Sequence, residues 1–112
     1  MFTCAVISSE GYVIVNTLPE PLEYDEMVGV VHGYIEGVYL DGATAWVNEE
    51  GKLQDLPKNY VATDLAHAHN AIHTDDWIAG NMIIVGNSDD EGEMTSLTNE
   101  WINANLKEIA NV

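Results

Sequence analysis

Between Tyr34 and Leu53 the chain reads YIEGVYLDGATAWVNEEGKL, and its β-rich runs predict two strands, Tyr34–Leu40 and Ala43–Asn48. Asp41-Gly42 separates them. Both residue types tolerate φ > 0, which suits the two-residue primed turn of a tight hairpin. A second turn follows in Asn48-Glu49-Glu50-Gly51, with glycine where a left-handed backbone is common. A third element can start at Lys52 and must end by Leu56-Pro57, because Pro57 cannot donate to a ladder. In the first strand Tyr34, Glu36, Val38 and Leu40 share one face and Ile35, Gly37 and Tyr39 the other. Apolar residues on both faces predict a strand interior to its sheet, with Gly37 marking a bulge or a close approach.

The same pattern carries on to either side. Thr3–Ser8 and Tyr12–Val15 flank Glu10-Gly11 and read as an N-terminal hairpin that Pro19 and Pro21 terminate. Leu22, Met27, Val30 and Val31 lie at helical spacing with Glu23, Asp25 and Glu26 at the start, so a short helix over Leu22–His32 is expected, closed by Gly33. Val61, Leu65, Ala66, Ala68 and Ile72 allow either a helix capped at Thr63 or Asp64 or an irregular loop within Asn59–Ile72. Met82–Val85 reads as a strand buried on both faces, followed by a polar, acidic loop over Asn87–Glu93. A final helix is predicted with Thr98 as N-cap, Leu97 and Ile102 as a hydrophobic staple, and an apolar stripe of Trp101, Ile102, Leu106 and Ile109; Lys107 falls in its last turns. The fold class expected is α+β: one domain over residues 1–112, a mainly antiparallel sheet of about five strands with two or three helices packed on it.

Charge changes this picture most. Lys52, Lys58 and Lys107 are the only cations against 19 acidic residues, there is no arginine, and the formal net charge is −16. Direct binding to DNA or RNA depends on Lys and Arg neutralising phosphates and is not expected. The acidity can serve solubility, a high-salt cytoplasm, or the presentation of carboxylates to a basic partner. No apolar run approaches the roughly 20 residues of a membrane span, and Met1–Ile7 lacks the basic start of a signal peptide, so a cytoplasmic location is expected. Cys4, the lone cysteine, lies in an apolar run and reads as a small buried hydrophobe.

Several segments, taken in order, resemble a known family. Gly33-Tyr34-Ile35-Glu36, Asn48-Glu49-Glu50-Gly51-Lys52-Leu53, Leu56-Pro57-x-Asn59, Asp76-x-Ile78-x-Gly80-Asn81 and Ile84-Val85-Gly86 are similar to domain-of-unknown-function family 3846, small proteins of phages and mobile elements. The resemblance covers about Leu22 to Leu106 and rests on the order of the pieces, not on any one of them. It implies a phage or plasmid context and supplies no activity. Tyr60 stands where members of that family often carry arginine.

Glu36, Glu49, Glu50, Lys52 and Asn59 are the polar residues inside these segments. They are candidates for a polar site at the hairpin end; turn chemistry and a solvated Lys52–Glu50 pair account for them more simply. With Tyr60 and the Asp76–Asn81 segment, Asn81 included, the hairpin, Lys52 and Asn59 outline a pocket for a nucleotide-like or other polar ligand. His67-x-His69-x3-His73 is the only metal-like cluster. On a helix His69 and His73 would share a face at a spacing that holds zinc, but no convincing further ligand accompanies them, and surface histidines are the simpler account. Asn87, Asp89 and Glu91-Gly92 imitate the start of a calcium loop that fails at Thr98, where the bidentate glutamate belongs. No phosphate loop or nucleophile motif is present, and neither enzyme activity nor a cofactor is expected. The leading functional expectation is a non-enzymatic phage or mobile-element accessory protein that binds a host protein with a basic surface, as a nucleic-acid mimic would. The alternative is the small-ligand binder. An exposed edge strand would add a homodimer to these expectations.

Overall fold

In the computed structural model, residues 1–107 form five strands and three helices. The strands are β1 (Phe2–Ile7), β2 (Val13–Leu18), β3 (Ile35–Leu40), β4 (Ala43–Asn48) and β5 (Met82–Val85); the helices are α1 (Tyr24–Val31), α2 (Tyr60–Ala68) and α3 (Asn99–Asn105). The sheet is antiparallel throughout, in the order β2-β1-β5-β4-β3. Two hairpins, β1–β2 and β3–β4, are thus joined side by side through the short strand β5. As the uninterrupted run Met82–Val85 predicts, all four β5 residues are buried.

The sheet divides the core in two. Ala5, Ile7, Val38, Leu40, Ala45, Met82 and Ile84 point to one face, where Ala62, Leu65 and Ala66 of α2 and Trp101 of α3 pack. Phe2, Cys4, Ile83 and Val85 point to the other, covered by Met27 and Val31 of α1. Burial pushes the Cys4 thiol above its ordinary pKa, and Glu26 nearby adds to the effect. The native protein is therefore expected to react only slowly with a thiol reagent at neutral pH, and fast once unfolded; equal rates would contradict this placement.

Several expectations are corrected. β3 is an edge strand and not an interior one, because β4 uses its second edge to pair with β5. Of the apolar residues that suggested burial, Val38 and Leu40 are buried, whereas Tyr34 and Tyr39 are exposed at 67% and 73%. Gly37 marks a close approach without a bulge: the β3–β4 register is continuous, and a Cβ there would come within 3.3 Å of the Trp46 ring. α2 is capped by Asn59, four residues before Thr63, the first of the two expected caps; the Thr63 hydroxyl instead accepts from Ile78 N–H at 2.9 Å. His32, not Gly33, takes the left-handed position that ends α1 (φ 66°). The stretch after Lys52 is a run of tight turns, with Gln54 N–H bonded to Glu50 C=O and Leu56 N–H to Gly51 C=O.

The Asp41-Gly42 turn also departs from the primed geometry. Gly42 has φ +82° while Asp41 stays at negative φ. Tertiary contacts account for the difference, since Asp41 N–H donates to His69 Nδ1 at 3.0 Å and its carbonyl accepts from Trp101 Nε1 at 2.7 Å. Helix α3 has the predicted Thr98 cap, the hydroxyl accepting from Trp101 N–H, and Leu97, Trp101 and Leu106 are buried. Ile109 of the expected stripe lies outside the described residues.

Candidate functional site

Asn48 builds the corner on which the site sits. It is buried at the end of β4, its Nδ2 donates to Val31 C=O (3.0 Å) and to Gln54 Oε1 (3.1 Å), and its Oδ1 accepts from Glu50 N–H (2.7 Å). One side chain therefore ties the end of α1 to the turn after β4. Gly33 leaves room for it: a Cβ there would stand 2.7 Å from Asn48 Nδ2. On the other side of the turn, a Cβ at Gly51 would stand 2.7 Å from Ala79 C=O, so glycine lets the Trp77–Ala79 segment close against the turn.

Between these two segments opens a cleft of about 260 Å³, with Val47, Ile78 and Ala79 inside and Glu49, Glu50, Lys52, Leu53 and Trp77 around it. Leu53 is 82% exposed and Trp77 40%. Lys52 Nζ pairs with Asp76 and lies 4.3 Å from the centre of the Trp77 ring. Lys58 Nζ stands 5.0 Å from the Tyr60 ring and 5.9 Å from that of Trp77. Two of the three lysines of a strongly acidic chain thus gather on two exposed aromatic rings, an arrangement that cation–π attraction favours by about 0.5–1 kcal/mol per exposed contact.

The hydrogen bond from Lys52 holds the Asp76 carboxyl below its usual 3.8; partial burial opposes the shift, and Trp77 N–H, donating at 2.8 Å, adds to it. A carboxyl whose pKa is lowered by folding stabilises the fold above its unfolded value, and that contribution is lost as pH falls through the folded value. Lys52→Met is expected to return the Asp76 titration, followed by NMR, towards 3.8. Because both side chains are exposed by 40% or more, the stability cost should stay below about 1 kcal/mol. An Asp76 midpoint that does not move would remove Lys52 as the cause.

The sequence-predicted candidates separate into two groups. Glu49, Glu50 and Lys52 are at the cleft, and Tyr60 is beside it through Lys58. Asn59 and Asn81 are structural. Asn59 is fully buried, its Nδ2 donating to Ile7 C=O and Gly80 C=O and its Oδ1 capping α2 through Ala62 N–H. Asn81 Oδ1 accepts from Ser9 N–H, and its Nδ2 donates to Val30 C=O. Glu36 is exposed on β3 opposite Val47 and does not line the cleft. Leu53, inside the Asn48–Leu53 motif but not among the candidates, lines the cleft, and Lys58, which motif reading passes over, stands beside it. The signal for Lys58 is a shortage: where cations are so few, Lys52 and Lys58 close to the same short motifs point to one place.

The histidines do not form the face expected of them. α2 ends at Ala68, so His69 and His73 are not one helical turn apart. His69 uses both ring nitrogens: Nδ1 accepts from Asp41 N–H, which leaves the proton on Nε2 to donate to Asn105 Oδ1 at 2.8 Å, while the ring stacks on Trp101 at 5.8 Å. His67 Nε2 donates to Asp76 C=O. Among the described residues no three His, Cys, Asp or Glu side chains come together as a metal-holding group. Asp89 Oδ1 is likewise engaged, accepting from Glu91 N–H and Glu93 N–H. No described helix is long and apolar enough to cross a membrane.

Fold and cleft together define an α+β domain with one helix on one face of a five-stranded antiparallel sheet and two on the other. The chain belongs to the family described as Domain of unknown function (DUF3846), whose model matches residues 2–110. No curated protein and no solved structure matches it.

Proposed function

We propose that this is a non-enzymatic accessory protein of a phage or mobile element, working in the host cytoplasm by binding a host protein through that protein's basic surface. The observation that supports this most is the state of the carboxylates. Every described Asp and Glu is exposed except the half-buried Asp76, and Asp76 is the one carboxylate paired with a lysine among the described residues. Such a surface attracts a basic partner over distance and raises its association rate, an effect that falls with ionic strength.

Acids stand over both sheet faces. Asp25 and Glu26 are on α1 over one sheet face, while Asp64 on α2 and Glu100 on α3 are over the other. Long-range attraction from all directions fits this spread better than a single row of carboxylates copying a phosphate backbone. The short-range contact would then come from the cleft, where Val47, Ile78 and Trp77 accept an apolar side chain and Glu49 and Glu50 meet Lys or Arg beside it.

The same cleft favours the second reading, a small polar ligand, less well. Its volume of about 260 Å³ is under the roughly 300–1,000 Å³ typical of ligand pockets. Two glutamates border it, and the nearest ammonium is already taken by Asp76. Capture from host extract at physiological salt is expected to retain a basic protein, and Glu49→Gln/Glu50→Gln/Leu53→Ala to retain less of it. Capture of no basic protein would count decisively against the proposal. A thermal shift produced by nucleotides, in its place, would establish the ligand-binding alternative.

A further inference from the structure

We infer that the outer edge of β2, which pairs with no strand among the described residues, is a self-association surface, on which a second copy of this chain adds its own β2 in antiparallel fashion to make one continuous ten-stranded sheet. The inference is independent of what the cleft binds. Its starting point is a contrast of charge. Val13–Leu18 reads VIVNTL and carries no charged side chain in a chain of net charge −16, whereas the opposite edge, β3, carries the exposed Glu36 as its second residue.

Edge strands are ordinarily protected by lysine, proline, an inward charge or a bulge. β2 has none of these: its pairing with β1 runs without interruption from Phe2↔Leu18 to Ile7↔Val13, and its burial pattern leaves the four central residues exposed. Ile14 and Val15 are 49% and 43% exposed and, being adjacent in a strand, point to opposite faces. A helix covering one face would leave the other bare; a strand added at the edge covers both.

The hydrogen-bond pattern fixes how the second copy would sit. Ser8 N–H donates to Tyr12 C=O, so Ser8 and Tyr12 form a hydrogen-bonded pair, and antiparallel alternation makes Ile14, Asn16 and Leu18 the β2 residues bonded to β1. The N–H and C=O groups of Val13, Val15 and Thr17 therefore point outward. A two-fold axis through Val15 sets Val15 against Val15 and Val13 against Thr17, so that all three outward residues find partners. An axis through Asn16 would bring Val13 opposite Pro19, which has no N–H to give. The chosen register also carries Glu20 of one copy towards Glu10 of the partner subunit. Association must therefore strengthen as salt is raised, since two strongly acidic bodies repel and the strand contact itself is uncharged.

Sedimentation equilibrium of the intact chain, from about 0.1 M to about 1 M salt, where the screening length falls from about 10 Å to about 3 Å, tests this directly. The expected result is a mass moving from near 12.3 kDa to twice that value as salt rises. Val15→Glu places two carboxylates face to face at the axis and should weaken association by about tenfold or more. Ile14→Glu, on the other face, provides a second variant should the first fail to fold, and Tyr39→Glu on β3 adds the same charge where it should have no effect. A chain that stays monomeric at every salt concentration overturns the inference. So does a dimer that Tyr39→Glu dissociates, or one that the folded β2 variants leave intact.

Discussion

Asn59→Ala is expected to destabilise the protein by about 3 kcal/mol in urea unfolding, far more than a helix cap alone is worth. The side chain does two separable things. Its Oδ1 caps α2 through Ala62 N–H at 3.0 Å, a contact whose loss typically costs about 1 kcal/mol. Its Nδ2 donates at 2.9 Å to both Ile7 C=O at the end of β1 and Gly80 C=O ahead of β5, in a place with no solvent exposure. Removing that donor strips a hydrogen bond from buried carbonyls, at about 1–3 kcal/mol for a buried group left unsatisfied. Asn59→Asp separates the two contributions, because it keeps the capping oxygen and turns an acceptor towards the two carbonyls. If the donor half dominates, Asn59→Asp should be at least as damaging as Asn59→Ala near neutral pH. A loss under about 1 kcal/mol for either variant would reduce Asn59 to an ordinary cap.

Ile84→Ala is expected to cost about 4 kcal/mol, and more than Ile83→Ala next to it. The two residues point to opposite faces of β5 and differ in their neighbours across the sheet. Ile84 lies between Ala5 on β1 and Ala45 on β4, so it supplies the bulk of its row. The fully buried Ala62 and Ala66 of α2 belong to the same core cluster. With alanine on both flanking strands, little from beside it can move into the space left by truncation, and cavity cost grows with the volume that stays empty. Ile83 lies between Val6 and Trp46, larger side chains with more scope to shift. Matched urea titrations of the two variants decide the point, and equal losses would mean that the alanine row collapses as readily as the bulky one.

How much of this is legible in the sequence depends on whether local or distant contacts set each feature. β5 is readable because four consecutive apolar residues between polar segments fit a strand covered on both faces, and α3 because Thr98 and the flanking Leu97 mark its start. Asn48, Glu50 and Gly51 behave as the turn formers that their types suggest. α2 starts earlier than its local pattern suggests because its cap is also a tertiary link. Asn59 is held by β1 and by Gly80, contacts far away in sequence that no local pattern announces. The Asp41-Gly42 turn differs from its local preference for the same reason, its backbone being fixed by His69 and Trp101. The pattern puts β3 inside the sheet because tyrosine counts there as apolar, while Tyr34 and Tyr39 each keep a polar tip in water. At the candidate site the motifs lead to Glu49, Glu50 and Lys52, yet the packing of Trp77 and Lys58 against them depends on the closing of two separate segments over Gly51.

The strand order has a consequence for how the molecule comes into being. The central strand is also the last to be synthesised: β1, β2, β3 and β4 have all left the ribosome before Met82–Val85 arrives to be inserted between them. Until then the two hairpins wait as separate halves, each with an apolar edge facing a gap. Contacts of such long sequence separation form slowly and leave the nascent chain open to aggregation. A dense negative charge, already carried by both halves, opposes the association of such chains until the gap is filled.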